Sequence, residues 1–267
     1  MSRVDTVEFK TLKIVVDENI ATVYVNNPPA NALNTETIRE ISECMDYVSS
    51  QENVKAIILT GEGKFFVAGA DIKEFQDGFG KVGLGESMAK TAQEVFQKIE
   101  EMPIPVIAAI NGACLGGGME LAMSCHMRIA SRDAVLGQPE LNLGLIPGFG
   151  GTQRLPRLTN KAKALEMILL SKNIKGDEAE ELGLVNKAAD KEEVLQMAKE
   201  WAEIIASQKS RVSVSAALKA VTEGLNTSLS EGLQKEAVLF GEMFESEDMK
   251  EGVTAFVEKR KPVFKDN

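Results

Sequence analysis

Two glutamates and two small-residue stretches hold the residue types that could do chemistry in this chain. Gly116-Gly117-Gly118 joins an apolar run, Pro105–Ile110, to the amphipathic segment MELAMSC. A glycine run between a strand and a helix start lets a ligand approach backbone N–H groups that have no partner in the helix and that favour negative charge. Glu120 follows within the first turn of that helix, among Cys114, Leu115, Met119, Leu121 and Met123. Two readings of it stand. It is either a carboxylate placed by the helix dipole as an N-terminal cap, or one whose pKa burial raises into the range for acid–base work. Glu140, in GQPELNLGLIPG, by itself reads as an exposed loop carboxylate. Ala68-Gly69-Ala70-Asp71 could aim a second N–H at the same atom as the triple glycine, and two such donors make an oxyanion hole. The glycine run has neither the Lys-Ser/Thr of a phosphate loop nor the GxGxxG spacing of a dinucleotide site. Close helix–strand packing is the competing account of it.

Composition narrows the field. The chain has 267 residues, 44% hydrophobic and 26% charged, with a net charge of −10. That balance belongs to globular proteins, and the acidity argues against nucleic acid, which asks for a basic surface. No apolar run approaches the roughly 18 residues that a membrane helix needs. The segment MSRVDTVEFKTLK lacks the apolar core of a secretory signal, so the expected compartment is the cytoplasm. Cys44, Cys114 and Cys125 have no metal-site spacing and suit reduced thiols. With His126 as the only histidine, a metal site built on several histidines is excluded, and any His-based triad would have to use that residue. It reads as a structural histidine at a helix end.

The elements that must position these groups alternate between strand and helix. Thr11–Val16 and Ile20–Asn26 read as a hairpin around Asp17-Glu18-Asn19. A helix begins at Asn34 with Ile38, Ile41, Met45 and Val48 on one face. Lys55–Thr60 and Pro105–Ile110 are short apolar runs of buried-strand type. Between them lie a glycine-rich loop, Gln76–Glu86, and a helix, Ser87–Glu101, stopped by Pro103. Gly116–Ser124 is the next helix, Met127–Ala130 and Ala134–Gly137 are strands, Thr159–Leu170 and Gly176–Leu182 helices, and Leu184–Lys187 an extended segment. From Glu192 onward the pattern is helical: Glu192–Ser207, Ser210–Glu223, Ser228–Glu245 and Met249–Lys259. This divides the chain into an α/β core, residues 1–190, carrying the active site, and a helical subdomain, residues 191–267. The apolar faces of the last helices, with Leu225, Leu229, Leu233, Phe240, Phe244, Phe256 and Val257, serve either self-packing or a subunit interface.

FFVAGADIKEF, NGACLGGGMELAMSC, LGQPELNLGLIPGFGGTQRL and the terminal FVEKRKPVFKDN together resemble the crotonase superfamily, specifically its enoyl-CoA hydratases, in the family's order along the chain. The resemblance implies a spiral of repeated ββα units followed by helices that assemble trimers, which often pair into hexamers. It implies that the N–H groups of Ala70 and Gly117 bind the thioester oxygen of an acyl-CoA. Ala68, Asp71, Ile72 and Lys73 would line the CoA path, Lys259 would reach a CoA phosphate, and Phe240 would border the adenine or acyl region. Glu120 would orient and deprotonate the water that attacks C3, and Glu140 would give a proton to C2. No cofactor is implied, CoA being part of the substrate. Both glutamates are retained, which favours hydration of trans-2-enoyl-CoA over the sister reactions. The alternatives are double-bond isomerisation, a hydration dedicated to one degradative pathway, and a noncatalytic member binding RNA or a protein. Departures from the family pattern at Pro29, Asn31 and Phe149 bear on chain-length preference. They lie near the expected substrate pocket.

Overall fold

A computed structural model of the chain describes residues 4–267. The elements run β1 (Val4–Glu8), β2 (Leu12–Asp17), β3 (Ile20–Val25), α1 (Thr35–Ser49), β4 (Ala56–Gly61), α2 (Ile72–Asp77) and α3 (Leu84–Glu100). Next come β5 (Val106–Ile110), β6 (Cys114–Leu115), α4 (Gly117–Ser124), β7 (Met127–Ser131), β8 (Val135–Gly137) and a 3-10 helix, Glu140–Leu143. They are followed by α5 (Gly151–Leu158), α6 (Lys161–Leu169), β9 (Ile174–Lys175), α7 (Gly176–Glu181) and β10 (Lys187–Ala189). The chain ends with α8 (Val194–Gln208), α9 (Arg211–Gly224), α10 (Leu229–Met243) and α11 (Glu247–Glu258).

Among the described residues a seven-stranded sheet has the order β1-β2-β3-β4-β5-β7-β10, and a three-stranded sheet the order β6-β8-β9. The hairpin β2–β3 is antiparallel, while β3, β4, β5, β7 and β10 pair in parallel. The run AIILTG of β4 is buried along its whole length, as an apolar strand covered on both faces must be. One face of the sheet packs on α1, α3 and α4, with Phe66, Phe96, Ile41 and Met45 at zero exposure. Val194, Ala198 and Ala202 of α8 cover the other face, against Ile58, Ile107 and Ile129. The small side chains on that stripe let the helix lie close to the strands. Thus α8, although it follows the change to an all-helical pattern, shares a core with the sheet.

The spiral is built from a repeated step. Each turn lays one strand in the large sheet, a second extended segment in a smaller layer, and then a helix. In β5–β6–α4 the second segment is Cys114–Leu115, and in β7–β8 it is Val135–Gly137. Earlier turns use single bridges: Leu33 pairs in parallel with Ala70, and Val67 in parallel with Cys114. The second layer is therefore a staircase of neighbouring segments, and successive turns bring their helix starts side by side.

Several boundaries differ from the sequence expectation. Strand β1 pairs antiparallel with β2 and has no counterpart in the sequence pattern. The glycine-rich loop is shorter than 76–86, because α2 continues to Asp77 and α3 starts at Leu84. Helix α5 forms directly after the PGFGG turn although it contains Pro156. Extended pairing near residue 187 begins at Lys187 rather than Leu184, where Ile129 in the neighbouring strand becomes available.

Candidate active site

The bridge between Val67 and Cys114 sets the register of two segments that end in the small-residue stretches. Val67 N–H donates to the Ala113 carbonyl (3.1 Å), and Leu115 N–H to the Val67 carbonyl (3.1 Å). Carried onward, this register places Gly69 beside Gly116 and Ala70 opposite Gly117. The Gly69 Cα lies 3.8 Å from where a Gly116 Cβ would stand, as that register requires. In the adjoining bridge, Leu33 N–H donates to the Gly69 carbonyl and Asp71 N–H to the Leu33 carbonyl, which turns the Ala70 N–H to the other side. Gly117 is the first residue of α4, so its N–H has no partner within the helix. Two backbone donors from separate turns of the spiral thus stand level, with no protein acceptor among the described residues. Gly118 permits the approach: a Cβ there would lie 2.1 Å from the Val67 carbonyl oxygen.

Glu120 lies on α4 with 1% exposure. It does not cap its helix; Gly116 is the N-cap, and no side chain caps it. The Glu120 Oε1 instead accepts from Phe149 N–H (2.8 Å) and Gly151 N–H (2.7 Å) in the turn before α5. Gly151 must lack a side chain for this, since a Cβ would come 2.9 Å from that oxygen. Burial pushes the Glu120 pKa up to about 7, with Glu140 adding to the rise, while the two N–H groups and Arg154 oppose it. Arg154 is itself held by Glu100 (2.9 Å).

Glu140 opens the 3-10 helix and is half-buried, not the exposed loop carboxylate that its sequence neighbours suggest. Its Oε1 lies 3.0 Å from the Cβ position of Gly116, which puts the carboxyl beside the turn presenting the Gly117 N–H. Burial pushes its pKa up to about 7 as well. The pair flanks a helix N-terminus with two carboxyl groups that exchange protons near neutrality. Such groups can act as acid and base on one bound molecule while the N–H donors hold developing negative charge.

The remaining site residues separate into two groups. Ala68 adjoins the donors and gives its own N–H to the Ala30 carbonyl (3.1 Å), and Asp71 caps α2 by accepting from Lys73 N–H (3.0 Å). Ile72 and Lys73 are exposed on the first turn of α2. Phe240 on α10 is 65% exposed, its ring edge-on to Phe244, and Lys259 ends α11 in a left-handed conformation. Among the described residues neither makes a hydrogen bond, ion pair or ring contact with the glutamates. Asn31 braces the loop before α1, its amide donating to the carbonyls of Glu62 (3.0 Å) and Phe65 (3.0 Å). Phe149 does face the site: its ring is 3.2 Å from the Cβ position of Gly117 and stacks edge-on with Phe96. His126 is half-buried and structural, with Nδ1 accepting from Val106 N–H (2.9 Å) and desolvation lowering its pKa to about 4. Sequence reasoning missed Gln138, which is buried beside both glutamates. Its place in GQPEL, two residues before Glu140, carries no signal of that burial.

The family model for enoyl-CoA hydratase/isomerase matches residues 16–267. The chain belongs to the enoyl-CoA hydratase/isomerase family. It is 49% identical over 255 residues to a probable enoyl-CoA hydratase of Bacillus subtilis, covering 95% of this chain and 98% of that one. A short-chain-enoyl-CoA hydratase of Clostridium acetobutylicum is 43% identical, with 95% and 97% covered. In three dimensions, the crystal structure of an enoyl-CoA hydratase from Bacillus anthracis matches with a TM-score of 0.88 at 34% identity, covering 99% of each chain. The crotonase-type architecture inferred from the motifs is thereby established. Among the described residues no helix is long and apolar enough to cross a membrane.

Proposed function

We propose that this family member adds water reversibly to a trans-2-enoyl-CoA, giving a 3-hydroxyacyl-CoA. The observation that carries the reading is the pair of carboxyl groups, buried Glu120 and half-buried Glu140, both with pKa pushed up to about 7, beside the Ala70 and Gly117 donors. The thioester oxygen accepts from both N–H groups. Negative charge builds on that oxygen as the double bond is attacked, and the fixed donors then bind more strongly than they bind the substrate. Ionised Glu120, oriented by Phe149 and Gly151, takes a proton from water as the oxygen bonds to C3. Protonated Glu140 gives its proton to C2. Hydration leaves Glu120 protonated and Glu140 ionised, so each turnover starts from a pair that shares one proton. Return of that proton through solvent resets the pair, and the same steps in reverse dehydrate a 3-hydroxyacyl-CoA.

The same reading assigns Ala68, Asp71, Ile72 and Lys73 to the CoA path and keeps Lys259 and Phe240 as CoA contacts. It divides the chain near residue 190, with the last helices joining copies of the chain into a trimer or hexamer. Phe244, Phe256 and Val257 are well exposed on those helices, which supports an interface there. The reaction needs no cofactor beyond the CoA of the substrate. A cytoplasmic location accords with Cys44, Cys114 and Cys125 being buried as free thiols. Product analysis with a four-carbon enoyl-CoA tests the activity: the wild type yields 3-hydroxyacyl-CoA, and Glu140→Gln and Glu120→Gln each lose turnover by about 10²–10⁴-fold. Full turnover in either variant would defeat the assignment.

A further inference from the structure

The turn from Gly148 to Gly151 gives Glu120 its two N–H groups, and two side chains take up carbonyls of the same turn. Gln93 on α3 donates to the Gly148 carbonyl at 2.7 Å, and Arg154 on α5 donates through Nη1 to the Phe149 carbonyl at 3.3 Å. Gln93 is exposed, whereas Arg154 is half-buried. The guanidinium lies against Gly150, where a Cβ would collide with Nη1 and where φ is 115°, so glycine is required on both grounds. Nε and Nη2 of the same group reach Glu100 Oε2 at 3.3 and 2.9 Å. Glu100 closes α3 and is fixed through its main chain as well. His126, whose Nδ1 accepts from Val106, gives its Nε2–H to the Glu100 carbonyl at 3.2 Å. Arg154 thus joins the end of α3 to the turn that aims Glu120, and it brings a positive charge to that side of the carboxyl pair.

We propose that Arg154 is a positioning residue for the hydration step: its guanidinium braces the turn that aims Glu120, and its charge keeps the proton shared by the two glutamates off Glu120. This rests on the hydratase reading. Both carboxyl groups are pushed up to about 7, so a small bias decides which of them holds the proton. Burial and Glu140 drive it onto Glu120; Arg154 is the charged side chain that works against them, and it does not act on Glu140. Hydration needs Glu120 ionised, so this bias favours the working form of the pair. The charged groups around Glu120 are Glu140 of the 3-10 helix and Arg154 of α5, with Glu100 of α3 offsetting part of the arginine's charge. Arg128 on β7 is turned to the far end of α4, where it donates to the Cys125 and Leu184 carbonyls. His126, its pKa lowered to about 4, is neutral at working pH.

The direct test uses the whole protein and the infrared carbonyl band of protonated carboxyl groups in the neutral range, where ordinary carboxyl groups are already ionised. The Glu120 band is assigned by its loss in Glu120→Gln. Arg154→Met removes the charge and the fork at similar length, and the Glu120 midpoint is expected to rise by about one pH unit. Glu100→Gln leaves the arginine without its counter-charge, and the midpoint is expected to fall by roughly half a unit. A merely structural ion pair would disturb the site alike when broken from either end. A midpoint unmoved in Arg154→Met, or displaced the same way in both variants, overturns the proposal. Should Arg154→Met fail to fold, Glu100→Gln decides alone: a fall supports the proposal, and no change or a rise overturns it.

The kinetic arm measures the variants on a four-carbon enoyl-CoA. For Arg154→Met, kcat is expected to fall about tenfold or more, with KM within roughly twofold, because the arginine acts on the turn and not on the CoA. The acid limb of the kcat profile, which reports protonation of Glu120, is expected to move up by about one pH unit. Arg154→Lys keeps the charge without the fork, so its acid limb is expected to stay near that of the wild type while kcat recovers only in part. An acid limb displaced as far in Arg154→Lys as in Arg154→Met overturns the part given to charge, and an unchanged kcat in Arg154→Met overturns the positioning role. A wild type inactive on every enoyl-CoA defeats the hydratase reading instead, and the infrared titration still reports whether Arg154 acts on Glu120.

Discussion

Replacing Glu120 by glutamine removes a buried charge with almost no change of volume, and its effect on stability follows from one pKa. Folding raises the Glu120 pKa from 4.5 to about 7. A carboxyl raised in this way binds more protons in the folded state than in the unfolded state between those values, so its contribution to stability is fully present below pH 4.5. That contribution is lost as pH rises through the folded pKa. The difference, worked at about 1.4 kcal/mol per pH unit, comes to roughly 3 kcal/mol above neutral pH. In Glu120→Gln the new amide would still offer a carbonyl oxygen to the N–H groups of Phe149 and Gly151, so little else is removed. The substitution would also end the repulsion that Glu140 exerts on Glu120. Glu120→Gln is therefore expected to match the wild type in acid, where Glu120 is protonated and shaped like an amide. In mild alkali it should exceed the wild type by up to about 3 kcal/mol while turnover falls by orders of magnitude. Urea unfolding of both proteins at matched concentration across that pH range measures the gap, since assembly would otherwise shift the midpoints. A gap that stays flat with pH, or that narrows as pH rises, would refute the assignment of a buried, proton-exchanging Glu120.

Three further outcomes follow from the same geometry. Activity in the hydration direction is expected to trace a bell centred near the shared value of about 7 for both carboxyl groups, because the active pair carries one proton; a sigmoid profile would contradict the division of roles. Gly118→Ala would set a Cβ 2.1 Å from the Val67 carbonyl, and thermal or urea unfolding should show a loss of about 1–3 kcal/mol or more. Sedimentation velocity is expected to find trimers or hexamers, joined through the face that carries Phe244, Phe256 and Val257; a monomer at micromolar concentration would refute the interface.

The sequence made the architecture legible where pattern and packing agree. The apolar runs of β4 and β5, the amphipathic faces of α1 and α3, and the glycine-led start of α4 are local signals that the fold keeps. Strand β1 was not legible, because VDTVE acquires a reason to be a strand only when β2 supplies an edge. Helix α5 was hidden by the glycines before it and by Pro156 within it. At the site, Glu120 and Glu140 could be picked out by type and motif, yet what tunes them lies far along the chain. Phe149 and Gly151 reach Glu120 through backbone N–H groups, a contact that no side-chain pattern announces. Gln138 is polar and buried, and polarity in a short extended run reads as surface until the packing around it is seen. Ala70 and Gly117 became a candidate donor pair through motif resemblance, and their common level became visible only through the register of Val67 with Cys114.

The central claim is that Glu120 activates the water whose oxygen bonds to C3 while Glu140 gives its own proton to C2 of the same substrate. Reaction of a four-carbon trans-2-enoyl-CoA in deuterium oxide enriched in oxygen-18, with the product read by mass spectrometry and NMR, tests it most directly. The account predicts one oxygen-18 at C3 and one deuterium at C2 of the 3-hydroxyacyl product, with both labels entering at a rate that collapses in Glu120→Gln and in Glu140→Gln. Product without oxygen-18 at C3, or labelling that proceeds undiminished in either variant, would contradict it.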